Sequence, residues 1–227
     1  QTSTSAITHL EKSERETPDK LPNCHNYIIG DNKLALEAMK AKAQELGLKP
    51  IIVTAEEKGE PDKIIAAHSK EIEDGKHQGA NLLLMGGEPT PTLPDNPGEG
   101  GRNQYYAAAA LLALQENKKD WLVASVATDG SDFMPDIAGG IVDGDSMKEK
   151  AEKKLTAQEI KEYLENFDSY NLLKQLDDSL VVTGKTGTNV GDIMLWMFWR
   201  TLSQAIHNKR CWRLSNTCLR WIELHKI

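Results

Sequence analysis

The sequence has little of what usually marks a function at first sight. It holds only three cysteines, Cys24, Cys211 and Cys218, with no CxxC pair and no histidine at ligand spacing, so reduced thiols and no structural zinc are expected. No apolar run approaches the roughly 20 residues of a membrane span. The polar N-terminus lacks the apolar core of a signal peptide, which makes the cytoplasm the default compartment, with no membrane partner. Positive charge is scarce too: 27 Lys and Arg stand against 34 Asp and Glu, a net charge of -7, which argues against a nucleic-acid partner held by a basic face. The histidines are scattered, no Ser/His/Asp or Cys/His arrangement is legible, and no internal repeat is apparent.

Nucleotide loops are missing as well. "LVVTGKTGTNVGD" (Leu180 to Asp192) has a Gly-Lys-Thr, but a Walker loop needs a glycine where Ser179 stands, and the residues between are an apolar strand rather than a cradle. What remains is a hydroxyl-rich turn of Thr186, Gly187, Thr188 and Asn189 at the carboxyl end of a strand, a place where open α/β sheets bind anions. In "GEGGRNQ", Gly98, Gly100 and Gly101 lead into Arg102 at the start of an alanine-rich helix. The dinucleotide fingerprint GxGxxG fails there, because Asn103 replaces the third glycine and no strand immediately precedes. Free helix N–H groups and a guanidinium at one spot suit an oxyanion; the alternative is a simple turn with Arg102 solvated. "ATDGSDFMPDIAGG" sets Asp129, Asp132 and Asp136 just past another strand, where carboxylates either orient a substrate hydroxyl or Mg²⁺ or merely cap a loop. Glu88, after two glycines in "MGGEPT", carries the same ambiguity. No metal ligand is assigned.

The coarse pattern is that of an α/β chain. A polar arm (residues 1–25) precedes a strand at Asn26 to Gly30, a helix closed by Gly47, a strand at Pro50 to Thr54, a helix, and a buried run at Ala80 to Glu88. This βαβαβ order predicts a three-layer α/β/α domain with a mostly parallel or mixed sheet. A Pro- and Gly-rich loop, the alanine-rich helix, a strand at Trp121 and further helices around Met147 to Lys153, Ala157 to Asn166 and Asp168 to Gln175 follow.

In order along the chain stand "GGEPT", "GGRNQ", "TDG", "DxAGGxVDG", "DSYNLL" and "TGKTGTNVGD". In that order and spacing they resemble the C-terminal MOFRL domain of the class II glycerate 2-kinases, over about Asn26 to Leu195. The resemblance implies the C-terminal half of a two-domain kinase that transfers the γ-phosphoryl group of ATP, with Mg²⁺, to the 2-hydroxyl of glycerate or a similar small hydroxy acid. It implies Arg102 as the catalytic or phosphate-stabilising residue. It also places Glu88, Gly100, Gly101, Asn103, Asp129, Thr186, Gly187, Thr188 and Asn189 along the substrate and phosphate cleft.

The departures from that pattern are specific. Phe133, Met134 and Pro135 stand where members usually read glycine, proline and threonine, and Phe167 stands where asparagine usually precedes Asp168. The resemblance further implies an N-terminal nucleotide-binding half for which this chain has no room, so that the chain alone is expected to be inactive and to need a separate kinase half. Beyond Leu195 the match stops, and residues 196–227 read as a Trp-rich tail. The alternative to a kinase half is a non-catalytic anion-binding module. A hydroxypyruvate reductase, a name attached to relatives of this family, is disfavoured by the failed dinucleotide fingerprint.

Overall fold

The computed structural model describes residues 4–12, 21–117 and 120–199. Along the chain run α1 (Thr4–Glu11), α2 (Asn32–Glu45), β1 (Pro50–Gly59), α3 (Pro61–Glu73), β2 (Leu82–Pro89), α4 (Arg102–Ala113), β3 (Asp120–Ala127), β4 (Ile137–Asp143), α5 (Gly144–Glu152), α6 (Ala157–Glu165), α7 (Ser169–Leu173), β5 (Leu180–Val182) and β6 (Asp192–Trp199). The strands form one sheet of order β1-β2-β6-β3-β4-β5. Only β1 and β2 pair in parallel; β2 with β6, β6 with β3, β3 with β4 and β4 with β5 are antiparallel. The sheet is therefore mixed, the second of the two arrangements expected.

The strands at the middle are apolar at successive positions because both sheet faces are covered. Leu83, Met85, Val123, Met194 and Trp196 point into one core with α3, α4, α6 and α7, whereas Leu82, Leu84, Leu122, Leu195 and Met197 share the other with Leu36 and Ala43 of α2. Alanines on α4 let it lie close on β4. A Cβ at Gly140 would come within 2.7 Å of both the Ala107 and the Leu173 side chains, so the glycine and the alanine fit each other.

Three sequence expectations are corrected. Asn26 to Gly30 is not a strand: Tyr27, Ile28 and Ile29 are 82%, 79% and 87% exposed and pair with no strand. The boundary at Leu195 cuts β6 in half, since Trp196 through Trp199 continue the strand between β2 and β3. Trp196 is fully buried and its indole N–H donates to the Tyr106 hydroxyl at 3.1 Å. The run at Leu180, expected as a buried strand, is a three-residue edge strand with Val182 61% exposed. Within residues 1–25, α1 has no buried residue; Cys211, Cys218 and the rest of the supposed tail lie outside the described residues. Among the described residues no helix is long and apolar enough to cross a membrane.

Candidate functional site

The two glycines of "MGGE" have separate physical reasons. At Gly87 (φ 151°) a Cβ would sit 2.2 Å from the Glu57 carbonyl oxygen of β1, and at Gly86 it would sit 1.7 Å from Oδ1 of Asn32. With the backbone packed this closely, β2 ends at the mouth of the sheet and delivers Glu88 there. On the neighbouring strand Asp192 opens β6, opposite Gly87 on one side and Ala127 on the other.

Arg102, the first residue of α4, lies between these carboxylates. Its Nε and Nη2 donate to the two Asp192 oxygens at 2.5 and 3.2 Å, and Nη1 donates to Glu88 at 2.7 Å. The Asp192 side chain is 1% exposed, that of Arg102 34% and that of Glu88 61%, so the guanidinium is anchored at its buried side and reachable at its outer one. The Asp192 hydrogen bonds hold the Arg102 guanidinium protonated even more firmly than usual. Burial lifts the Asp192 carboxyl above its ordinary range against the pull of Arg102. A buried carboxylate at the head of an apolar strand requires such a partner.

Two of the N–H groups expected free at the start of α4 are already engaged. Asp132 accepts from the backbone N–H of Asn103 (3.1 Å) and Gln104 (2.8 Å) and from both their side-chain amides. The protein thus caps α4 with its own buried anion, and burial holds that carboxyl above its ordinary range. Asn103, expected to line the cleft, is 1% exposed and also receives the Ser125 hydroxyl at 2.5 Å, which places its side chain beneath the surface. Gly98, Gly100 and Gly101 are likewise explained by packing: a Cβ at each would fall 2.6 Å from Asp168, 2.2 Å from Ser169 and 2.3 Å from Asp132 respectively.

The hydroxyl-rich turn lies beside the same strand ends. The Thr186 hydroxyl donates to the Thr128 carbonyl at 2.5 Å and its backbone N–H to the Asp129 carbonyl at 3.2 Å. The Asn189 amide reaches Asp129 at 3.4 Å, and Gly187, Thr188 and Asn189 are exposed. Asp129 itself accepts the Ser131 N–H at 3.0 Å, closing its turn. The structure thus brings Arg102 and Glu88 together directly and sets the Asp129 and Thr186 to Asn189 loops next to Asp192 through Thr128, while Asn103, Gly98, Gly100 and Gly101 pack closely against neighbouring residues.

Asp192 is the site residue that sequence reasoning missed. Its signal was present as a lone carboxylate heading the run "DIMLWMFW", but its partner lies 90 residues earlier in the chain.

The family model described as the MOFRL family matches residues 81–192. The chain is similar to the glycerate 2-kinase of Pyrococcus horikoshii, 35% identical over 197 residues that span 82% of this chain and 43% of the relative. It is similar to the D-glycerate 2-kinase of Thermotoga maritima, 37% identical over 186 residues, 80% of this chain and 43% of the relative. A crystal structure of a glycerate kinase from Thermotoga maritima superposes with a TM-score of 0.70 at 33% identity, covering 88% of this chain and 47% of that one. The chain therefore spans a little under half the length of the relatives it matches.

Proposed function

Through residues 81–192 the chain belongs to the MOFRL family, and on that footing we propose that it is the arginine-bearing half of a glycerate 2-kinase, acting in ATP-dependent phosphorylation of glycerate to 2-phosphoglycerate. The observation that carries the proposal is the anchored Arg102. Phosphoryl transfer depends on positioning and on stabilising charge spread over the moving group. Of the five N–H groups of a guanidinium, Nε and one on each terminal nitrogen are spent on Asp192 and Glu88, so both terminal nitrogens keep one for phosphoryl oxygens. Asp192 fixes the plane of the fork without reaching solvent. Glu88, exposed and already held by Arg102, is placed to accept the hydrogen bond of a substrate hydroxyl.

ATP and Mg²⁺ enter this proposal through the relatives. Among the described residues no group of three or more His, Cys, Asp or Glu side chains is placed to hold a metal ion. The donor set of the described residues does not form a cage for Mg²⁺, and no step is assigned to it. In this proposal the nucleotide is held by the half of the relatives' length that these residues do not match.

The test is a chimera in which these residues replace the matching half of the Thermotoga maritima relative, assayed beside the chain alone for 2-phosphoglycerate formed from ATP and glycerate. Product from the chimera and none above background from the chain alone is expected. A folded chimera that makes no product but binds sulfate near Arg102 would favour the non-catalytic module, and NADH-dependent reduction of hydroxypyruvate would favour the reductase.

A further inference from the structure

Arg102 can present a fixed fork only if Asp192 does not move, and the short turn that leads into Asp192 is gripped from two sides. On one side the Thr128 hydroxyl, at the end of β3, donates to the Gly191 carbonyl at 2.7 Å and accepts the Val190 N–H at 2.9 Å. On the other side Nδ2 of Asn32, the first residue of α2, donates to the Val190 carbonyl at 3.0 Å and to the Asp192 carbonyl at 2.8 Å. Two carbonyl oxygens leave no choice of amide orientation, since an oxygen facing them would be repelled.

We propose that Asn32 is a positioning residue for this site: it fixes the backbone of Asp192 and, through the Asp192 carboxylate, the orientation of the Arg102 guanidinium. Two observations converge on it. Gly86 leaves the space the amide fills, because a Cβ there would lie 1.7 Å from Oδ1. Oδ1 is buried without a hydrogen-bond partner, a stability cost that an apolar residue of similar size would avoid. The donor end of the amide is therefore what the position uses. Asp31 caps the same helix by accepting the Leu34 N–H at 2.7 Å, so Asn32 is held at the start of a formed turn of α2 rather than on a loose segment.

The functional weight of this inference rests on the reading of Arg102 given above, but its test does not use activity. The signal is the Nε–H resonance of Arg102 in the chain itself, identified by its loss in Arg102→Lys, and its hydrogen-exchange rate. Asn32→Asp keeps the size and turns the donor into a carboxylate facing two carbonyls. Gly86→Ala leaves Asn32 in the sequence and displaces its side chain by contact alone. Both are expected to shift the Arg102 resonance and accelerate its exchange by on the order of tenfold, the effect of freeing about one hydrogen bond. Thr156→Ala, which removes the cap of α6, serves as a control that lowers stability without moving Arg102. Unchanged Arg102 exchange in Gly86→Ala, whatever becomes of Asn32→Asp, would overturn the proposal. So would equal acceleration in Thr156→Ala. A shifted resonance together with a chimera indifferent to Arg102 would leave the positioning role standing and remove the kinase reading.

Discussion

Phe133 and Phe167 occupy the left-handed backbone region, at φ 65° and 53°. They are two of the positions where this sequence departs from the glycine and asparagine usual in the family pattern, and those are the residues that tolerate that region best. The same backbone argument predicts opposite outcomes at the two sites, because burial differs. Phe133 is 79% exposed, so Phe133→Gly has little packing to lose. It relieves roughly 1–2 kcal/mol of left-handed strain and returns about 0.5–1 kcal/mol through the greater chain entropy of glycine. The net gain is about 0.5–1 kcal/mol, a rise in Tm of about 2 °C for a domain of this size. Phe167 is 5% exposed and stacks on Tyr105 with ring centroids 4.8 Å apart. Phe167→Asn relieves similar strain but removes a buried ring worth about 3–5 kcal/mol, a net loss of about 2–3 kcal/mol. Thermal and urea unfolding of both variants reads the two signs side by side. Destabilisation by Phe133→Gly, or a neutral Phe167→Asn, would refute the reasoning.

Burial pulls the pKa of His68 down, but Glu57 at 2.8 Å and Glu71 at 3.5 Å outweigh it and leave His68 above its ordinary value. A histidine raised on folding contributes stability in full below its unfolded pKa and loses it as pH rises through the folded one. Urea midpoints should therefore fall as pH rises above about 6.5, and His68→Gln should flatten that slope; an unchanged slope in the variant would assign it to other groups. Asp132→Asn should cost about 1–3 kcal/mol in unfolding experiments, because an amide set against the donors of Asn103 and Gln104 leaves the start of α4 under-capped; a neutral variant would show that the cap is dispensable. Truncation after Leu195 should abolish cooperative unfolding, since it removes half of β6 and the Trp196 to Tyr106 hydrogen bond. A truncated chain that still unfolds cooperatively would return Trp196 to Trp199 to the tail.

Elements with a local signature were legible in the sequence. The start of α4 was marked by Gly101 and Arg102 before an alanine run, and the β3 run at Trp121 by its unbroken apolar stretch. Asn26 to Gly30 had the same apolar signature yet forms no strand, because pairing depends on a neighbour that local sequence does not contain. The converse error befell β6, whose aromatic second half reads as a foreign tail although it fills the middle of the sheet. Arg102 stood out by its glycines, but the reason for those glycines was packing against Asp168, Ser169 and Asp132, contacts 30 to 70 residues away in sequence by order of magnitude. For the same reason the occupation of the α4 N-terminus by Asp132 left no local trace.

In the proposed kinase, Arg102, held by Asp192 and presented beside Glu88, stabilises the transferring phosphoryl group. The most direct test of that role is the kcat for 2-phosphoglycerate formation in the chimera with Arg102 and with Arg102→Lys, circular dichroism confirming that both are folded. Lysine lacks the planar fork that engages Asp192 and the phosphoryl oxygens together, so kcat should fall by about 10²–10³ with a much smaller change in KM for glycerate. A folded Arg102→Lys chimera with kcat within about threefold of the parent, well short of the loss of a transition-state donor, would contradict it.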